Sequence, residues 1–341
     1  MTDTVLETFP LGNQWPMRDP FLFCAHHRDA YPAGNDRLGP EASLAGRPLG
    51  QDFGDIDGWN MYHGTTVPGF PPHPHRGFET ITYVRQGLVD HADSLGAAAR
   101  FGRGDVPWLT TGAGIVHSEM FPLLDDGGPN PMEMFQIWLN LPRASKMVDA
   151  YFTMLWDGHI PRLTDADAGA EITVIAGPLE GREPPSPPPD SWASEPDADV
   201  AVWHVRLDAG GRWTMPPAQP GVDRTVYVFA GDRLRIDGTE VSAGTGAAVR
   251  SDSPTRLEAN GEGVEALVLQ GRPIAEPVAQ YGPFVLNDEA GLVQAVEDYQ
   301  STGFGGWPWR DGDPVHGPDR GRFARHPDGR EESPPETVAP A

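Results

Sequence analysis

Two histidine pairs carry the strongest chemical signal in this chain. His73-Pro74-His75 is followed farther along by His117-Ser118-Glu119. In extended chain, residues i and i+2 point to one face, so each pair can aim two donor groups at one point. On neighbouring strands the pairs offer three imidazole nitrogens and one carboxylate oxygen. That donor set suits Fe(II), Mn(II), Co(II), Ni(II), Cu(II) or Zn(II); three histidines without the carboxylate would favour zinc. Four protein ligands on an octahedral ion leave two positions for substrate, oxygen or water. Either pair alone is common by chance. Together, flanked by the Gly104-Asp105 turn and framed by strand sequence, they read as one metal site.

The elements that must hold these residues are short strands between closely spaced turns. Phe78 to Val84 is β-branched and aromatic, Gln86-Gly87 closes it, and Leu88-Val89-Asp90-His91 follows, a hairpin pattern. Turns at Asp93-Ser94-Leu95-Gly96, Gly102-Arg103-Gly104-Asp105 and Thr111-Gly112-Ala113-Gly114 separate further strands, among them Val106–Leu109 and Ile115–Met120. Met134–Leu141 reads as one more. This is the pattern of a β-sandwich or barrel. A second strand-rich block runs from 200 to 272, where Arg224–Gly231 aligns without gaps on Thr80–Gly87, so the chain reads as a duplication. Spacings of three and four among Leu292, Val293, Val296 and Tyr299 predict one helix over 288–300, capped by Asn287 or Asp288.

The chain has 341 residues, which allows two domains. Its 41 Gly and 37 Pro exclude a long-helix protein. A net charge of −24 disfavours direct docking on nucleic acid or anionic lipid. The single cysteine, Cys24, forms no intrachain disulfide and fits a reducing compartment. No apolar run predicts a signal peptide or membrane span, so the expected location is cytoplasmic.

Longer motifs carry a family resemblance. Pro72-His73-Pro74-His75-Arg76-Gly77-Phe78-Glu79-Thr80, Asp93-Ser94-Leu95-Gly96, Gly104–Trp108, Gly112–Met120, Gln136–Pro142 and Glu276–Val285 resemble, in order, the signature of the pirin family of the cupin superfamily. The resemblance implies an all-β bicupin: two tandem antiparallel β-barrels of jelly-roll type with few short helices. It implies a mononuclear iron site in the first barrel, with His73, His75, His117 and Glu119 as ligands and Fe(II) as the first choice of metal. It further implies quercetin 2,3-dioxygenase activity on a small phenolic substrate and O2. Other members are described as non-enzymatic regulators, which would act here through a protein partner. In the enzymatic reading Glu119 doubles as the catalytic base for a flavonol hydroxyl.

The expected organisation is an irregular segment at 1–20, a metal-binding cupin domain at 21–181 and a linker or exposed loop at 182–199. A cupin domain without metal follows at 200–304, with Leu257 and Ala259 where His117 and Glu119 would fall, and then a disordered, dispensable tail at 305–341. His91 and Asp93 could orient a ligand imidazole, but the plainer expectation is a surface strand end. Trp108, Phe135 and Trp138 are expected in the core or the cavity wall, and Cys24 as a buried small apolar group. Arg76 and Glu79 either pair with each other or face solvent. The long 21–70 segment, with His26, His27, His63 and Trp59-Asn60-Met61-Tyr62, either walls the cavity or decorates the surface.

Overall fold

The computed structural model describes residues 3–335, built mainly of antiparallel strands with one α-helix of 14 residues. No helix among the described residues is long and apolar enough to cross a membrane. The chain forms two compact units that interleave along the sequence.

One unit comprises His26–Ile137, Arg143–Asp157 and Glu276–Ala341. Its five-stranded sheet runs in the order Tyr151–Leu155, Val106–Thr110, Phe78–Gln86, Asn130–Asn140, Phe21–Tyr31. The six-stranded sheet runs Glu331–Glu332, Phe323–Arg325, Ala98–Gly102, Leu88–Asp93, Ile115–Met120, Gly69–His75. Val84, Leu109, Met134 and Phe152 from the first sheet pack with Val89, Phe101 and Ile115 from the second. Both faces of Phe78–Val84 are buried, which explains its near-continuous apolar and β-branched sequence.

The hairpin expected at Gln86-Gly87 does not form, because Phe78–Gln86 and Leu88–Asp93 lie in different sheets. Gly87, at φ 79°, turns the chain from one sheet to the other, and a Cβ there would lie 2.6 Å from Met132 Sδ. The chain thus crosses between two sheets, as in a jelly roll, and the two sheets are not joined into a closed barrel.

The other unit comprises Met1–Ala25, Trp138–Pro142 and Gly158–Ala275. Nine strands form one sheet. Its two long strands, Asp223–Ile236 and Thr255–Gly271, pair through register shifts at Val228/Ala230 and Gly231/Arg233, and such bulges bend a sheet. Val226, Val228, Leu257 and Ala259 belong to its apolar core.

Sequential domains were expected, but both ends of the chain depart from them. Within the 1–20 segment, Val5–Pro10 is a strand paired with Thr245–Val249; this short, largely exposed run ending in proline lacks the apolar alternation that signals a strand. The helix Glu289–Thr302, capped by Asp288, belongs to the unit of the histidine pairs. The chain after 305 is not a loose tail. Phe323–Arg325 pairs with Ala98–Gly102, and buried Arg100 donates to the carbonyls of His316, Gly317 and Arg320 at 2.7–2.9 Å. Arg100 also grips both oxygens of buried Asp90 at 2.7 and 2.8 Å. The ordering comes from backbone carbonyls meeting a distant guanidinium, which composition does not reveal. The last six residues of the expected tail lie outside the described residues.

Candidate metal centre

His73 and His75 end the strand Gly69–His75, and His117 and Glu119 lie on its antiparallel neighbour Ile115–Met120. His73 pairs directly with His117, and the register shifts between Phe70 and His73. Pro71 and Pro72 occupy the shift, where they lack the N–H a regular ladder would need. The imidazoles converge with ring centroids 4.5 Å apart for His73–His117, 4.7 Å for His73–His75 and 4.9 Å for His75–His117. Their candidate ligand atoms all lie within 4.8 Å of one another.

The electrostatics suit a cation. Burial lowers His73 to about 4 and drives His75 and His117 well below the ordinary imidazole range, so the rings are neutral and carry lone pairs. His73 Nδ1 lies 2.8 Å from the Pro71 carbonyl. The carbonyl only accepts, so Nδ1 carries the hydrogen and Nε2 is left as donor atom for a metal. His117 is 1% exposed, yet neither of its ring nitrogens finds a hydrogen-bond partner among the described residues. A buried polar group in that state calls for an explanation, and a divalent transition ion among the three rings supplies one.

Glu119 stands at the edge of this cluster, with Oε2 3.8 Å from His117 Nε2. Gln136 Nε2 donates to Glu119 Oε2 at 2.9 Å. The Thr82 hydroxyl lies 2.6 Å from Gln136 Oε1 and 3.3 Å from Glu119 Oε1. It has one hydrogen, and the shorter contact takes it. Thr82 therefore turns the Gln136 amide so that its N–H faces the carboxylate. Burial pushes the Glu119 carboxyl upward, while His91, Thr82 and Gln136 work against that shift. The site thus lies between the sheets, with the histidines on one and the Thr82–Gln136 clamp on the other.

His91 and Asp93 are buried, not at a surface strand end. They pair across the sheet with Glu119 and His117 respectively. His91 Nε2 lies 3.1 Å from Asp93 Oδ2, and its ring stacks on Phe152 at 5.0 Å and sits 5.5 Å from His117. Asp93 is fully occupied at its other oxygen by the Leu95 and Ala97 amides. The pair thus backs the His117 ring through packing.

The aromatics divide. Phe135 follows the opposite face of its strand from Gln136 and stacks on His26 at 4.3 Å. Trp108 pairs with Ile81, on the face away from Thr82. Both are core. Trp138 packs on Phe23 at 4.8 Å, both within the nine-stranded unit. Arg76 and Glu79 do not pair: Arg76 donates to Asp298 and the Ala113 carbonyl, and Glu79 accepts from Thr110. Cys24 is buried. Sequence reading missed Thr82 and Gln136, although a polar Gln inside Met134–Leu141 was the available signal.

A strand-built fold with three histidines gathered on two paired strands is a cupin arrangement with a candidate metal site. The chain belongs to the pirin family: residues 4–139 match the pirin model and residues 202–305 the pirin C-terminal cupin domain. The fold is a bicupin. A Pseudomonas aeruginosa protein named "Putative quercetin 2,3-dioxygenase" is 37% identical over 236 residues, covering 69% of this chain and 79% of that protein. A pirin-like protein of Caulobacter vibrioides is 36% identical over 268 residues, covering 78% and 90%. The crystal structure of quercetin 2,3-dioxygenase from Acinetobacter baumannii superposes with a TM-score of 0.70 at 25% identity, covering 89% of this chain and 98% of that one.

Proposed function

We propose that this protein is a metal-dependent dioxygenase that cleaves a flavonol-like phenol with O2. His73, His75, His117 and Glu119 would hold the metal, with Fe(II) the resident ion. The observation that carries the reading is a hydrogen-bonded carboxylate standing beside three neutral imidazoles, two buried and one half-buried. The names of the Pseudomonas and Acinetobacter proteins support the choice of reaction.

A bound divalent ion supplies Lewis acidity that favours the anion of an enolic hydroxyl, and open positions for substrate and oxygen. The chain's own residues do the rest. Glu119 accepts the proton of the substrate hydroxyl at Oε1, the oxygen not engaged by Gln136. Gln136, oriented by Thr82, holds the carboxylate through Oε2 and so leaves Oε1 for the proton. The neutral histidines hold geometry and take no proton.

The test follows quercetin absorbance with iron-loaded and metal-stripped protein in air. Turnover only in the loaded protein supports the proposal. Full loading without turnover of any flavonol would overturn it in favour of a non-enzymatic regulator.

A further inference from the structure

The segment between Phe21 and Phe70 contains a buried polar chain that the reaction above leaves unused. Asn60 donates to Asp29 Oδ1 from its backbone N–H at 2.8 Å and its side-chain amide at 3.0 Å. The Tyr62 hydroxyl donates to Asp29 Oδ2 at 2.7 Å. His27 Nδ1 lies 3.0 Å from the same hydroxyl oxygen.

These contacts fix a tautomer. An ionised carboxylate only accepts, and a phenol has one hydrogen to give. Tyr62 gives it to Asp29, so His27 Nδ1 must donate to Tyr62. A neutral imidazole with its hydrogen on Nδ1 presents Nε2 as an acceptor. Burial, with His26 adding to it, lowers His27 to about 4, so the ring is neutral. Burial raises Asp29 to about 6, so the carboxylate is ionised at pH 8.

Position gives the acceptor a use. The Phe70 ring meets His27 at 5.6 Å and His73 at 6.4 Å between centroids. His27 is therefore one aromatic ring away from the metal cluster. His27, Phe70 and His73 all keep partial exposure, so a small molecule can reach along this edge.

We infer that His27 Nε2 accepts a hydrogen bond from a second hydroxyl of a polyhydroxylated aromatic substrate, with Tyr62 and Asp29 holding the tautomer that makes it an acceptor. The inference rests on the flavonol reading of the metal centre. It assigns the long 21–70 segment a part in specificity.

The experiment measures binding of quercetin and of 3-hydroxyflavone, which lacks the peripheral hydroxyls, to the iron-loaded full chain at pH 8 under nitrogen. Nitrogen NMR of the histidine rings accompanies it on zinc-loaded protein. Wild type should bind quercetin roughly tenfold more tightly, the worth of one net hydrogen bond. His27→Phe should abolish most of that preference, and His27→Gln, which restores an acceptor, should recover part of it. Tyr62→Phe should release the Nδ1–H tautomer in the NMR spectrum. A His27→Phe or His27→Gln protein that keeps the wild-type preference while both flavonols bind would overturn this inference alone. So would a His27 ring carrying its hydrogen on Nε2. Wild-type protein that binds neither flavonol would overturn the dioxygenase reading together with it.

Discussion

Gln136 bridges Thr82 and Glu119: its amide N–H reaches Glu119 Oε2 at 2.9 Å while its carbonyl takes the Thr82 hydroxyl at 2.6 Å. Gln136→Leu removes the donor and leaves a buried carboxylate with one weak contact. Turnover should fall roughly tenfold with metal content unchanged, in line with a hydrogen bond to a charged group. Thr82→Val should lower it less. Metal analysis beside steady-state kinetics separates this from ligand loss; normal kcat in Gln136→Leu would remove the clamp from the account.

Glu119→Gln tests the base. At matched iron occupancy the variant should still bind quercetin but turn over about 10²–10⁴-fold more slowly, the usual cost of losing a general base. The defect should sit in kcat and shrink as pH rises and the flavonol ionises unaided. A variant that merely loses iron would make Glu119 a ligand only.

The ligand pairs were legible because i, i+2 spacing on a strand is a local property. The Thr82–Gln136 clamp was not, since it depends on which face of a second sheet meets the site. Burial of His91 and Asp93 was hidden for the same reason: an Asp-Ser-Leu-Gly turn looks exposed until Phe152 covers the ring before it. The Gln86-Gly87 corner showed hairpin chemistry, but tight packing against Met132 sends the chain to the other sheet. The C-terminal segment has no hydrophobic period, so its place shows only in distant contacts such as the Arg100 hydrogen bonds and the pairing of Phe323–Arg325.

Removing residues 306–341 should destabilise the fold. Arg100 is buried at 0% exposure, and truncation strips the three carbonyls it donates to. Losing charged hydrogen bonds at a buried guanidinium costs on the order of 3 kcal/mol or more. Thermal unfolding of the truncated chain should show a Tm several degrees lower; an unchanged Tm would mean that the segment only rests on the sheet.

Asp29 gives stability a pH dependence. With its carboxyl raised to about 6, the folded chain keeps a proton there that the unfolded chain sheds near pH 4. Its contribution is fully present below about pH 4 and is lost as pH rises through about 6. Relative to Asp29→Asn, wild type should lose roughly 3 kcal/mol between these limits, at about 1.4 kcal/mol per unit. Denaturant unfolding across pH 4–8 reads this directly, and a constant difference would contradict it.

Metal removal should lower stability as well. An ion present at 100 times its Kd contributes about 2.7 kcal/mol. Chelation should therefore lower Tm in wild type and leave the His73→Ala, His75→Ala double variant unmoved. Equal shifts in both would place the metal elsewhere.

The most direct measurement is oxygen uptake by iron-loaded wild type and His117→Ala side by side, with quercetin added in known amount. Wild type should consume one O2 per quercetin cleaved, and the variant none above background. Wild-type protein carrying a full equivalent of iron yet consuming no oxygen would contradict the dioxygenase reading, as would equal uptake by the two proteins.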